Sequence, residues 1–500
     1  MNLKSPATLF GHKVKRIHCL GVGGMGMAPL AIYLAQSGYE VSGQDDALRA
    51  AVKDMLLRHG VSLGTLPSEC DLVVVSSAIK SGHQDLAAVD QEKTLVVKRG
   101  VLLAEVAQGK KLVAICGSHG KTTTTALLID ALRRLGFSAD YILGGLFTDA
   151  SVPPAACTGS DWLVAEVDES DGTIGQFNPE ISLVVNLDWD HTDHYKTSDD
   201  LSTTFRDLIE RTTAAVLTSQ ECEMSVQLSH ETKPSAEMLT FGRGGTFAGE
   251  SSTKHDGIQT LTLGGRFALE SVRVRATGDF NARNAVGALA TAQLMGATLQ
   301  EDALENFVGV RRRQSVLCDE GGIRVIEDYA HHPKEVGALL GSLREGLSDG
   351  GRVIAVFQPH RFSRTAQFKE DFVAALSLAD EVFLLEVYSA GETPVAGGTS
   401  ADLLAEWEGI RPKSLVRLVD EQSVELFELL ARTVRSGDTV AFVGAGTIDE
   451  SAHDYARRCR AKRWDAFVDA AKPLLSSETL LKREEPLANK TTMRVGGAAR

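Results

Sequence analysis

The residues best suited to chemistry begin at Gly117-Ser118-His119-Gly120-Lys121-Thr122-Thr123. An apolar run at 111–116 precedes them, and a helical pattern starts at Lys121. This strand–glycine–helix order resembles a phosphate-binding loop. Its amides would cradle phosphates, Lys121 would neutralise β/γ charge, and Thr122 could ligate Mg2+. The spacing departs from GxxxxGK[ST], because Ile115 stands where the first glycine belongs. An ordinary loop is the competing reading, and the flanking strand and helix weigh against it.

An acidic cluster follows, Glu166, Asp168, Glu169 and Asp171, at the end of another apolar run. The carboxyl end of a neighbouring strand is where a phosphate-loop enzyme needs a Mg2+ ligand. A solvated acidic loop is the alternative. Asn186 opens a segment that contains His191 and His194 beside Asp190, so His191 is a second candidate metal ligand; a structural histidine is the plainer reading. Later come Asp328-Tyr-Ala-His331-His332-Pro333 and Gln358-Pro-His360-Arg361-Phe-Ser-Arg364-Thr365. Two basic clusters at strand ends suit an anionic group, since Arg forks match phosphate or carboxylate. Structural salt bridges compete with that reading. Asn281 and Asn284 open a helix, where they either cap it or read a nucleobase edge.

Near the start, Gly21-Val22-Gly23-Gly24-Met25-Gly26 fits GxGxxG between a strand and a helix, with Asp45 and Asp46 about 20 residues on. Taken alone this spells NAD or FAD, or a glycine-rich structural turn. The motif does not say which nucleotide.

The elements that must hold these residues alternate. Strand-like runs lie at 17–22, 39–43, 72–76, 111–116, 162–167 and 181–187, and helical spacing at 27–37. This βαβ pattern predicts an α/β fold with mostly parallel sheets. Between about 240 and 277 the pattern changes to hairpin-like segments, 259–263 and 267–275, before a helix at 281–295. A third α/β unit, with strands at 323–327, 352–357, 381–385 and 439–443, starts near Arg313. The chain has 500 residues, which at roughly 150 per domain suggests three domains.

With 43% hydrophobic and 24% charged residues, the chain is not wholesale disordered. A net charge of −14 repels polyphosphate backbones, so no nucleic-acid partner is expected. Phosphate must be held locally. The seven cysteines are widely spaced with no CxxC, which fits a reducing cytosol. The N-terminus lacks a signal-peptide core, and no apolar run reaches membrane-span length, so a cytoplasmic protein with no membrane span is expected.

Taken in order, these strings resemble the Mur ligase family over about residues 10 to 465. The carriers are GVGGMGM (21–27), VVSSAI (74–79), GSHGKTTTT (117–125), EVDESD (166–171), NLDWDHTDHY (186–195), DYAHHP (328–333), FQPHRFSRT (357–365), VYSAGETP (387–394) and GAGTI (444–448). The resemblance implies an N-terminal Rossmann-like domain (1–108), a central P-loop ATPase-like domain with a mostly parallel sheet (109–311) and a C-terminal Rossmann-like domain (312–465). It implies ATP-driven ligation of L-alanine to the lactyl carboxylate of UDP-N-acetylmuramate through an acyl phosphate. The glycine motif would then hold a UDP-sugar rather than NAD, through Gly21, Gly23, Gly24, Met25 and Gly26 together with Ser76 and Ser77. ATP would lie on Gly117, Ser118, His119, Gly120, Lys121, Thr122 and Thr123, with Asn281 and Asn284 at adenine and Asp328 near ribose and phosphates. Thr122, Glu166 and His191 would hold Mg2+; His331, His360 and Arg364 would orient the muramyl carboxylate and the incoming alanine. Two segments depart from the family pattern: Phe280 replaces an expected His, and Arg311-Arg312-Arg313-Gln314 replaces an expected Arg-Arg-Phe.

The segment 466–500 reads as a linker and the opening of another domain. Glu485 to Ala499 resemble the start of UDP-N-acetylenolpyruvoylglucosamine reductase, an FAD enzyme that makes UDP-N-acetylmuramate. FAD is expected only if a reductase domain follows.

Overall fold

A parallel strand covered by helices on both faces buries both rows of side chains, so it reads as an unbroken apolar run. Leu72–Val75, Val353–Phe357 and Thr439–Val443 are buried at every residue, and Lys111–Cys116 at every residue after the first. The computed structural model describes residues 8–79, 82–87, 89–90, 92–170, 172–189, 195–255, 257–348, 350–410, 414–419 and 424–461. Asp171, His191 and the reductase-like tail lie outside the described residues. The chain forms two compact units. One comprises Met1–Ser315, Glu327–Gly346 and Ala374–Leu378, the other Val316–Ile326, Leu347–Val373 and Ala379–Arg500.

The first unit contains two large sheets. The N-terminal one has five parallel strands in the order Ser62–Leu63, Glu40–Gln44, Arg16–Leu20, Leu72–Val75, Leu95–Lys98. The helix Met27–Gln36 follows the first of these in sequence and buries Met27 to Leu34. The second sheet has ten strands: Ala155–Ala156, Asp140–Ile142, Trp162–Glu166, Lys111–Cys116, Ile181–Val184, Ala215–Ser219, Glu237–Gly242, Phe247–His255, Ile258–Gly265, Ser271–Val274. The strands from Asp140–Ile142 through Phe247–His255 pair in parallel, and an antiparallel meander follows. The expected strand at 267–275 is shorter, since a turn occupies its first residues and pairing starts at Ser271.

From Lys111–Cys116 the chain moves to one side of the sheet and then returns to Ile181–Val184 on the other. Such a reversal opens a crevice at the carboxyl ends of the strands. Registers Glu166↔Ile115 and Val184↔Cys116 bring three strand ends level there. The helix Asp279–Leu294 packs its alanine-rich surface into the same core as the helix Lys121–Arg134. Its N-cap is Gly278 at φ 84, so Asn281 lies inside the first turn and the capping reading of Asn281 is corrected.

The two sheets of this unit are tied together at Tyr33. Its hydroxyl donates to the buried Asp140 carboxylate at 2.9 Å, which also meets Lys110 Nζ at 3.1 Å and the Thr158 amide at 2.7 Å. A six-stranded sheet runs in the order Ser315–Glu320, Ile323–Asp328, Thr439–Val443, Val353–Phe357, Glu381–Leu384, Leu415–Leu418. Among the described residues, no helix is long and apolar enough to cross a membrane.

Candidate active site

The phosphate loop leaves the strand Lys111–Cys116 at Gly117, whose φ is 123. A Cβ there would sit 2.5 Å from the Asn186 carbonyl oxygen, so backbone crowding demands glycine. Asn186 then clamps the loop. Its Oδ1 accepts the His119 amide at 2.9 Å, and its Nδ2 donates to the His119 carbonyl at 2.9 Å. Ser118 Oγ donates to the Asp188 carbonyl at 2.8 Å and accepts the Asp188 amide at the same distance. Gly120, at φ 81, is the N-cap of the helix from Lys121. Backbone amides at a helix N-terminus favour an anion.

Lys121 Nζ donates to the Gly117 carbonyl at 2.6 Å and to both Glu169 oxygens at 3.1 and 2.9 Å, with Asp168 at 3.9 Å. Burial alone would lower its pKa, but Glu169 and Asp168 outweigh burial and raise it. Glu169 is 1% exposed; burial pushes its carboxyl up to about 7, against the pull of Lys121. Thr122 Oγ1 donates to Glu166 Oε2 at 3.0 Å, and the Gly144 amide donates to Glu166 Oε1 at 2.7 Å. Burial raises the Glu166 pKa, and these two donors oppose it. Among the described residues, no three His, Cys, Asp or Glu side chains cluster as a metal site. The Thr122 hydroxyl and the Glu166 carboxylate are nevertheless hard oxygen donors of the kind Mg2+ takes.

His119 sits between two carboxylates. Its Nδ1 lies 3.2 Å from Glu335 Oε1, its Nε2 lies 3.3 Å from Asp188 Oδ2, and its ring packs at a 32° tilt against His332, with centroids 4.8 Å apart. Burial would lower its pKa, but the two carboxylates raise it to about 9. Glu335 sits in the first turn of the helix Pro333–Glu345 and accepts the amides of His331 and His332 at 3.0 and 3.2 Å.

Asp328 accepts the amides of Gln314 at 2.8 Å and Ala330 at 2.7 Å, and burial lifts its carboxyl to about 6. Gln314 Oε1 in turn accepts from Thr277 Oγ1 at 2.9 Å and Asn281 Nδ2 at 3.1 Å. Asn284 Nδ2 donates to Asn281 Oδ1 at 3.4 Å, and a Cβ on Gly120 would lie 3.1 Å from the Asn284 amide group. The two asparagines therefore border the phosphate loop. Arg312 and Arg313 stack on Tyr329, their guanidinium carbons 4.8 and 5.1 Å from its ring centre.

In the N-terminal sheet, Gly21 at φ 77 packs against Ser76; a Cβ there would lie 2.8 Å from the Ser76 Cβ. The Gly23 amide donates to Asp45 Oδ2 at 2.9 Å, which ties the glycine turn to the next strand end. Gly26 abuts Arg99, while Met25 and Ser77 are exposed. In the second unit, His360 stacks on Tyr388 at 5.6 Å, and the Arg361 amide donates to the Tyr388 carbonyl at 2.9 Å. Ser363 donates through its amide and hydroxyl to Glu392 at 3.1 and 2.8 Å, and Arg364 is buried.

The first unit thus brings Gly117 to Thr122, Glu166, Asn281, Asn284, Asp328 and His331 into one connected neighbourhood. His360 and Arg364 belong to the other unit. Sequence reasoning missed Glu335 and gave no role to Asn186, Asp188 or Gly144. Glu335 leaves a faint signal, as a carboxylate three residues after His332 in a capping-box position.

Known proteins resemble this chain along its length. Residues 16–111 match the Mur ligase family catalytic domain, 115–292 the Mur ligase middle domain, and 312–446 the Mur ligase glutamate ligase domain. A UDP-N-acetylmuramate–L-alanine ligase of Cereibacter sphaeroides is 34% identical over 469 residues, covering 90% of this chain and 98% of its own. One from Paracoccus denitrificans is 34% identical over 478 residues, covering 91% and 99%. The crystal structure of the UDP-N-acetylmuramate–alanine ligase from Thermotoga maritima superposes with a TM-score of 0.72 at 25% identity, covering 89% of this chain and 99% of that one. A murein peptide ligase of Psychrobacter arcticus shares the fold, with a TM-score of 0.64 at 21% identity over 89% of this chain and 98% of its own.

Proposed function

The chain belongs to the Mur ligase family, and from that premise we propose that it joins L-alanine to the lactyl carboxylate of UDP-N-acetylmuramate at the expense of ATP, in peptidoglycan precursor synthesis. The observation that carries the reading is one neighbourhood of phosphate loop, Thr122–Glu166 pair and Asp328–His331 segment, in a chain 34% identical to alanine-adding relatives over nine-tenths of its length.

The lactyl carboxylate oxygen attacks the γ-phosphorus, ADP leaves, and an acyl phosphate forms. The alanine amine then attacks the acyl carbon. The tetrahedral adduct expels phosphate, and the amine sheds a proton to give the amide. This chemistry needs positioning and charge neutralisation more than a nucleophilic side chain. Lys121 and the loop amides neutralise the β/γ-phosphates. Asn281 and Asn284 meet adenine, and Asp328 faces the ribose and phosphates. His331 orients the reacting groups, and the family resemblance proposes the same task for His360 and Arg364. The UDP-sugar is held by Gly21 to Gly26 with Ser76 and Ser77. Mg2+ supplies further neutralisation of phosphate charge when bound; Thr122 and Glu166 would hold it, with His191 as a third ligand. The domain boundaries at 108, 311 and 465 and a cytoplasmic location belong to the same reading.

The test is phosphate release from ATP and Mg2+ with UDP-N-acetylmuramate, comparing L-alanine, glycine, L-serine and no amino acid. Release that requires both the UDP-sugar and L-alanine is expected. Release with a preformed peptide but not with alanine would reassign the acceptor, and none at all from folded, ATP-binding protein would refute the ligase.

A further inference from the structure

The phosphate loop and the His331–Pro333 segment are distant in sequence yet joined by side chains of alternating charge. Lys334 Nζ pairs with Asp188 Oδ1. Asp188 Oδ2 is 3.3 Å from His119 Nε2, and His119 Nδ1 is 3.2 Å from Glu335 Oε1, across 216 residues of chain. Glu335 Oε2 is 3.4 Å from His331 Nδ1 and also accepts the amides of His331 and His332. A carboxylate engaged by two backbone donors and two imidazoles has little freedom to turn. His119 is equally fixed, because Asn186 holds both its amide and its carbonyl. His331 Nδ1 lies 2.9 Å from the Tyr329 carbonyl, an acceptor only, so Nδ1 is the donor there and Nε2 is left to face a reacting group.

We propose that Glu335 and His119 are positioning residues of the ligation, fixing the His331 ring relative to the phosphate loop so that the lactyl carboxylate and the γ-phosphate meet in register. The inference rests on the ligase reading and deepens it. Orientation of a ligating or reacting histidine by a carboxylate behind it is a general device. The electrostatics agree. Burial opposes charge at Glu335, but His331 and His119 hold its carboxyl well below the usual range, with Arg313 adding to them. His119 is flanked by Asp188, Glu335 and the His332 ring, and Lys334 balances Asp188 from the far side.

The test compares Glu335→Gln, His119→Gln and the double variant with the wild-type chain. The relay predicts kcat reduced on the order of 10–100-fold, as for a small misplacement of a reacting group, with KM for ATP and UDP-N-acetylmuramate nearly unchanged. It also predicts a double variant no slower than the slower single one. Unchanged kcat per folded molecule, or losses that multiply in the double variant, would overturn it. Should Glu335→Gln fail to fold, 15N spectra of the wild-type imidazoles decide: His119 must be doubly protonated at pH 8, and a neutral His119 refutes the relay. The spectra need no turnover, so a relay that fails is distinguishable from a ligase assignment that fails, in which the wild-type chain makes no product.

Discussion

Replacing Lys121 by methionine keeps most of the length of the side chain but removes its charge, and the buried Glu169 then loses this cation. In the wild-type chain Lys121 donates to both Glu169 oxygens, and Glu169 is 1% exposed. Breaking a buried pair from one side costs about 3–5 kcal/mol, because a charge stays behind without compensation. Glu169 can escape part of that cost by binding a proton. Burial holds its folded pKa at about 7 even with Lys121 present, above the ordinary glutamate range, and removing Lys121 raises it further. A group whose folded pKa is raised stabilises below the unfolded pKa and loses that contribution as pH rises through the folded value. Below about pH 7 Glu169 is protonated in both folded proteins, so Lys121→Met is expected to track wild type there and to fall behind by up to about 1.4 kcal/mol per pH unit above that, reaching about 1.4 kcal/mol by pH 8. The assay is urea unfolding of both proteins across that range, alongside phosphate release. Lys121→Met/Glu169→Gln should regain most of the stability and none of the turnover. A single variant as stable as wild type at pH 8 would refute the electrostatic argument, and one that turns over at the wild-type rate would refute the phosphate-loop assignment.

Gly117→Ala should lower stability by about 1–3 kcal/mol, because its Cβ would strike the Asn186 carbonyl at 2.5 Å and its φ is positive; denaturant midpoints check this, and a neutral result would mean the loop can shift. Gly144→Ala pushes a Cβ to 2.5 Å from Glu166 Oε2, so its Mg2+ titration should move to higher concentration, and an unchanged titration would remove Glu166 from the metal site. Tyr33→Phe deletes one donor to Asp140 while Lys110 and Thr158 remain, so a loss of about 1 kcal/mol is expected in thermal unfolding, with ATP binding retained.

Much of the fold was legible because central parallel strands are continuous apolar runs. Lys111–Cys116 and Thr439–Val443 stand where the sequence reading puts them. Asp140–Ile142 and Ala155–Ala156 are too short to show a pattern, and Phe247–His255, which pairs in parallel only at Phe247 and Ala248 and antiparallel with Ile258–Gly265 along its length, carries Ser, Thr and Lys. The helix carrying Asn281 starts at Asp279, since the φ of 84 at Gly278 makes that glycine the boundary. At the site, glycine and lysine spacing announce a phosphate loop by local rules alone. The clamp by Asn186 and the His119–Glu335 pair are tertiary contacts across 67 and 216 residues, which no local spacing encodes.

The most direct measurement follows oxygen. UDP-N-acetylmuramate labelled with 18O in its lactyl carboxylate is turned over with ATP, Mg2+ and L-alanine, and the released phosphate is analysed by mass spectrometry. Activation through an acyl phosphate predicts that each phosphate carries one 18O from the carboxylate and that the amide product retains the other. Phosphate free of label, formed alongside the alanine adduct, would contradict the account.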